Sequence, residues 1–138
     1  MKKLHLTFAA ALLLSVSVMA QQKQQKIVFD FVKGDTSDFR FMVLQINNVL
    51  KEAPYTKIEV VCSGGGLFML VTDKTNVKKD IEDLQAVFNV SFAACANTMR
   101  KWKVDKSQLL PKAIIVPVAI LEIAAREQEG WSYIKAGH

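Results

Sequence analysis

The residue pattern predicts an α/β domain: a three-layer α/β/α sandwich around a mostly parallel five-stranded sheet. Two observations carry that expectation. Short β-branched or aromatic runs alternate with segments of helical periodicity through residues 26–135, which calls for a parallel sheet with helical crossovers. The runs 27–32 and 114–118 are almost unbroken in apolar residues, as strands covered on both faces are.

The elements follow in order. Residues 26–32 form the first strand, and Gly34, Asp35, Thr36 and Ser37 supply a turn and cap residues after it. Over 38–52 the apolar positions Phe39, Met42, Val43, Ile46, Val49 and Leu50 recur at three- and four-residue steps on one helical face. Pro54 stops that helix by driving Ala53 out of the α region. Residues 57–62 form the second strand, which runs into Ser63, Gly64, Gly65 and Gly66, with a short helix over 67–71. Asn76 is placed to cap a helix whose stripe is Val77, Ile81, Leu84, Val87 and Phe88. Residues 89–94 make the third strand, with Cys95 just past it and a helix over 97–103. A turn over 107–110 precedes Pro111. The fourth strand spans 113–118, with Pro117 near its end because proline donates no ladder hydrogen bond. A helix over 120–129 stops at Gly130, and 131–135 alternate as a fifth strand.

The chain has 138 residues, one domain's worth. Lys2 and Lys3 precede an apolar run that ends in Val18, Met19 and Ala20, the pattern of a cleaved secretory signal. The expected organisation is a signal peptide over 1–20, a polar leader over 21–25 and a single domain over 26–138. The expected location is the periplasm or outside the cell, with no membrane attachment after cleavage. Eighteen Lys+Arg stand against thirteen Asp+Glu, and losing the two signal lysines leaves +3. So small an excess does not make a nucleic-acid binder. Outside the signal, the only histidine is His138. Serine–histidine and cysteine–histidine catalysis and most transition-metal sites are thereby removed, and no metal or cofactor is expected.

The remaining chemistry gathers where α/β sheets bind ligands, at the carboxyl ends of strands. Cys95 lies at such an end and leads into a helix, whose free N–H groups favour a thiolate. Arg100, Lys101 and Lys103 add positive charge within two turns, enough together to lower a thiol from its free value of about 8.5. The competing reading is a small buried hydrophobe in an Ala-Ala-Cys-Ala setting. For Cys62 three readings stay open: a disulfide with Cys95, a resolving thiol for it, or a buried free thiol. Ser63 to Gly66 either present backbone N–H groups to an anion or make a tight turn needing positive φ. They match neither the Walker nor the dinucleotide pattern. Asp30, Asp35 and Asp38 read as caps and turn residues, and Glu122, Glu127 and Glu129 as a wet helix face. Phe68, Met69 and Leu70, joined by Trp102, read as a lid or an oligomer contact.

Several segments resemble the DsrE/DsrF-like family of small sulfur-relay proteins, in particular its exported, single-domain branch. They are 44–50 in the first helix, the strand-to-glycine segment 60–66, the segment 90–99 with its Cys-Ala-Asn-Thr-Met run, and 128–135 with its Gln-Glu-Gly-Trp-Ser-Tyr ending. The resemblance spans nearly all of 26–135. It implies the same three-layer fold, assembly as trimers or hexamers, and sulfur carried as a cysteine persulfide on Cys95. Read from position along the chain, Ser63, Gly64, Gly65, Gly66, Asn97 and Thr98 are expected around that site, with Arg100 and Lys101 stabilising the thiolate and Cys62 as a possible second thiol. Partners on this reading are small sulfur species or a sulfur-donor or acceptor protein. The chain departs from the family twice: Cys62 stands where the exported branch commonly has His, and Val118-Ala119 replace a small Ser-Gly pair. The other expectation, from a different class, is a non-enzymatic oligomeric module that binds a small anion or nucleotide-like ligand.

Overall fold

The computed structural model describes residues 24–137; the expected signal peptide, most of the polar leader and His138 lie outside the described residues. Five strands, β1 (Lys26–Phe31), β2 (Lys57–Cys62), β3 (Val90–Cys95), β4 (Ile114–Val116) and β5 (Ser132–Ala136), pair in the order β4-β3-β2-β1-β5, every pair parallel. The helices are α1 (Thr36–Glu52), α2 (Lys78–Val87), α3 (Ala96–Trp102) and α4 (Ala119–Gln128), with 3₁₀ segments at Gly64–Leu70 and Lys106–Gln108. The expected fold class is the one observed.

Strand order and the handedness of crossovers together decide which helix covers which face. From β1 through β4 the chain steps one strand at a time in one direction, so right-handed crossovers leave α1, α2 and α3 on one face. The last connection runs back from β4 to β5, past β1, and so lays α4 on the other face. The two faces are accordingly unequal. Phe29, Phe31, Ile58, Val60, Cys62, Phe92 and Ala94 pack under Phe39, Met42, Ile46, Ile81 and Leu84 in the large core. Val28, Val61, Ala93, Cys95 and Val116 meet only Ala119 and Ile123 of α4, with Trp131 at the margin.

Local details depart from the sequence reading for identifiable reasons. Helix α1 starts at Thr36, two residues early, because the Asp35 carbonyl already accepts the N–H groups of Asp38 and Phe39. Asn76 does not cap α2: its side-chain amide donates 3.3 Å to the Thr36 carbonyl, and Val77 takes the cap position. Val87 is exposed, and Phe88, one residue on, packs against the core instead. Strand β4 is three residues at the sheet's edge, so Ile114 and Ile115 are exposed rather than covered on both faces. Residues 68–70 make no outward apolar contact patch. Met69 and Leu70 are fully buried, and Phe68 sits edge-on to Trp102 at 5.4 Å, with the Lys74 ammonium over its ring. Among the described residues no helix is long and apolar enough to cross a membrane.

The glycine segment is packed hard against the first strand and its turn. Gly64 has φ +51°, and a Cβ on Gly66 would sit 2.3 Å from the Phe31 carbonyl oxygen. That neighbour is backbone and cannot step aside. Gly66→Ala should therefore cost about 3 kcal/mol or more in urea unfolding. Gly130→Ala, at φ +82° but with nothing within 4 Å, should cost only about 1–2 kcal/mol.

Candidate functional site

Strands β3 and β4 are neighbours whose following helices leave to opposite faces, α3 to the large-core side and α4 to the other. Such a reversal brings the carboxyl ends of the two strands together with the starts of two helices on opposite faces. Cys95 is the last residue of β3, pairs with Val116 of β4, and is also the cap residue of α3. The residue type that could do chemistry thus stands at the point where the topology leaves backbone donors without partners.

The sulfur collects those donors. The N–H of Ala119, first residue of α4, donates to Cys95 Sγ at 3.4 Å. Burial alone would raise the thiol, but donation from the Thr98 hydroxyl and the backbone N–H groups of Thr98, Ala119 and Asn97 outweighs it, and the net shift is downward. The Thr98 hydroxyl is itself oriented, because its oxygen accepts the Gly64 N–H at 3.3 Å, leaving its hydrogen free for the sulfur. The Asn97 N–H donates 3.3 Å to the Pro117 carbonyl and so ties the start of α3 to the segment after β4. No histidine or cation is needed to favour the thiolate.

The remaining residues singled out in the sequence take other places. Arg100 and Lys101 lie in the last turn of α3, not at the sulfur. Arg100 donates 3.2 Å to Asn97 Oδ1, and Lys101 lies over the Trp102 ring. Their charge meets the negative end of the helix dipole instead. Gly64 serves the sulfur at one remove, through Thr98. The Ser63 N–H donates to the Phe31 carbonyl at 3.0 Å, while Gly65 and Gly66 abut Gly34 and Phe31.

Cys62 is excluded as partner to Cys95. It pairs with Ala94, so Cys95, one residue further along β3, projects from the opposite face of the sheet. Both cysteines are free, and Cys62 is enclosed in the large core, where burial pushes its thiol far up. Neither a disulfide nor a resolving thiol is compatible with that register. Of the three readings, the buried free thiol is the one the structure gives.

Cys95 itself is closely covered, with a relative exposure of 3 %. A cavity of about 380 Å³ opens beside α3 along Ala96, Met99, Arg100, Lys103 and Ile115, and the sulfur is not part of its wall. The helix that covers the sulfur, α4, is fixed by a group the sequence reading passed over. Glu59, buried in the middle of β2, accepts from Arg126 Nε at 2.8 Å. Arg126 also pairs with Glu122 at 2.9 Å and Glu129 at 3.0 Å, so two of the three glutamates read as a wet face are engaged. A charged residue inside the apolar run Ile58-Glu59-Val60-Val61 was the available signal.

Comparisons place the fold among solved structures. MTH1491 from Methanobacterium thermoautotrophicum, a protein of unknown function, is 28% identical, with a TM-score of 0.76 over 81% of this chain and 99% of that one. The ychN protein from E. coli is 13% identical, with a TM-score of 0.61 over 81% of this chain and 98% of that one. No protein-family model matches the chain, and the search of curated proteins gives no match.

Two measurements check this geometry. Thr98→Val removes the hydroxyl donor and should slow iodoacetamide alkylation of Cys95 at pH 7 by about tenfold, because a hydrogen bond to a charged group contributes about 1.5–3 kcal/mol. Thr98→Ser should keep the wild-type rate. In the folded protein Cys62 should stay unlabelled, and non-reducing mass analysis should show both cysteines in the thiol form.

Proposed function

We propose that this is a sulfur-handling protein of the DsrE/DsrF-like kind, exported to the periplasm or beyond, in which Cys95 is the nucleophile and persulfide carrier. The observation that carries the reading is the Ala119 N–H laid on the Cys95 sulfur where β3 and β4 end, with hydrogen bonding around the sulfur outweighing burial so that the thiol is lowered. It is supported by the residue resemblance over 90–99 and 128–135 and by the fold shared with the two solved structures.

The chemistry suits the residues present. The Cys95 thiolate attacks the outer sulfur of a donor persulfide, R–S–S–H. The new S–S bond forms as the donor's breaks, giving Cys95–S–S–H and R–S⁻, with no net oxidation and no metal. The same N–H groups that favour the thiolate then face the anionic persulfide. Delivery runs the same exchange in reverse sense, with an external acceptor thiolate taking the outer sulfur. Because Cys62 projects from the other face, that acceptor is another molecule: a small thiol or a partner protein.

Assembly into homo-oligomers belongs to the same proposal, and its contact is not the 68–70 segment. Ile114 and Ile115 of β4 and Ile120 and Leu121 of α4 are apolar residues open to solvent that could supply such a contact.

Incubating the protein with a low-molecular-weight persulfide and mapping peptides by mass should show one added sulfur atom on Cys95, absent from Cys95→Ser and discharged by excess thiol. Finding no sulfur on Cys95 while small anions still bind to Cys95→Ser would replace the carrier with the non-enzymatic binding module.

A further inference from the structure

The Glu59 cluster has a donor deficit. One guanidinium serves three carboxylates: Arg126 Nε meets Glu59, Nη2 meets Glu122 and Nη1 meets Glu129. The second oxygen of Glu59, Oε1, is buried and has no hydrogen-bond donor. Glu59 and Glu122 are drawn together on one guanidinium, on Arg126 Nε at 2.8 Å and Nη2 at 2.9 Å, but two carboxylates offer each other only lone pairs. A proton placed between them turns that contact into a hydrogen bond and supplies the missing donor.

We infer that Glu59, Glu122 and Arg126 form a proton-operated latch that seats α4 on the sheet and so sets how closely Cys95 is covered. Helix α4 connects the two places physically. Ile123 and Arg126 hold its body against the sheet, and its first residue, Ala119, lays its N–H on the sulfur. With the proton present, Glu59 accepts from Arg126 and donates to Glu122, and the helix is held at three points. Without it, two carboxylates share a poorly hydrated site with one guanidinium, and α4 is held less tightly. Glu59 is a positioning residue: it acts on Cys95 only through the helix.

The neighbours of Glu59 on every packed element fit this assignment. On its own strand, Lys57 shares its face. Across the ladder stand Val28 of β1 and the neutral Ser91 of β3. Beyond Val28 on that face lie Lys26, whose ammonium turns to the Glu129 carbonyl, and Asp30, which accepts the Tyr133 hydroxyl of β5 at 3.2 Å. Lys135 of β5 pairs with Asp30 in the ladder. The charged groups of α4 toward Glu59 are Glu122, Arg126 and Glu129. Burial, opposed by Arg126 and aided by Glu122, pushes the Glu59 carboxyl up from 4.5 to about 7. A raised folded-state value means that folding favours the protonated form. The latch's contribution is therefore complete below about pH 4.5 and is lost as pH rises through about 7.

Glu59→Gln tests this directly, since the amide keeps the acceptor for Arg126 and carries a permanent donor toward Glu122. Cys95 alkylation by iodoacetamide is followed by peptide mapping from pH 6 to 8 and divided by the thiolate fraction read from its ultraviolet absorbance. The wild-type quotient should rise at least threefold across that range, while Glu59→Gln stays at the low, covered value throughout. Glu127→Gln, on the exposed side of α4, should follow the wild type. In parallel, carbon NMR of the glutamate side chains should show Glu59 titrating near neutrality, and the Ala119 amide should exchange faster above pH 7 in the wild type than in Glu59→Gln. Parallel profiles for wild type and Glu59→Gln, or a Glu59 that titrates like an ordinary glutamate, would overturn the latch. A Cys95 that never accepts sulfur but shows these profiles leaves the latch standing and removes only the carrier.

Discussion

The right-handedness of parallel crossovers is the constraint on which the site rests. Once the chain has stepped from β1 to β4 in one direction and must return to pair β5 with β1, the returning helix has only the uncovered face available. That return makes β3 and β4 neighbours with oppositely directed exits, and it is the only reason that the first N–H of α4 reaches the sulfur at the end of β3. The cradle is thus a by-product of topology. Neither Ala119 nor Asn97 contributes a functional side chain to it; each contributes a backbone donor placed by the end of a helix.

The same return explains the imbalance between the faces. One ten-residue helix covers what three helices cover on the other side, and it brings two buried apolar side chains, Ala119 and Ile123. With so little apolar burial, the position of α4 leans on the Arg126–Glu59 pair more heavily than α1 leans on any polar contact. A buried ion pair is a poor source of net stability, because desolvating both charges offsets most of their attraction. It is a good source of responsiveness for the same reason: removing or adding one proton changes a term that hydrophobic packing does not back up.

The fold was legible in the sequence because its signals are local. Periodicity over 38–52, the proline at 54 and the β-branched run 57–62 each specify an element without reference to distant partners; four strands lie within a residue of their expected bounds, and the fourth keeps three of its expected six residues. What was not legible depends on partners far away in the chain. The edge position of β4 follows from strand order, which no local pattern encodes, so an apolar run passed for a buried one. Arg100 and Lys101 are near Cys95 in sequence but at the wrong end of α3, where charge proximity along the chain says nothing about direction. Glu59 and Arg126 are 67 residues apart, and only the fold brings them together. Sequence could flag Glu59 as anomalous; it could not name its partner.

The separation of the two cysteines has a chemical consequence that decides what kind of carrier Cys95 could be. A dithiol site resolves its own intermediate, the second thiol attacking the first and ejecting the cargo as the protein becomes a disulfide. Strand parity forbids that here: Cys62 and Cys95 face opposite layers, and a one-residue register slip to align them would turn the buried side chains of β3 outward. On the proposed carrier reading, sulfur loaded on Cys95 leaves only by attack of an external thiolate. On that reading no second thiol inside the molecule competes for it, and the close cover over Cys95 limits access by oxidants and stray thiols. That protection is useful only if the cover can be relaxed on demand, and α4, which provides the cover, is held to the sheet by a titratable buried contact.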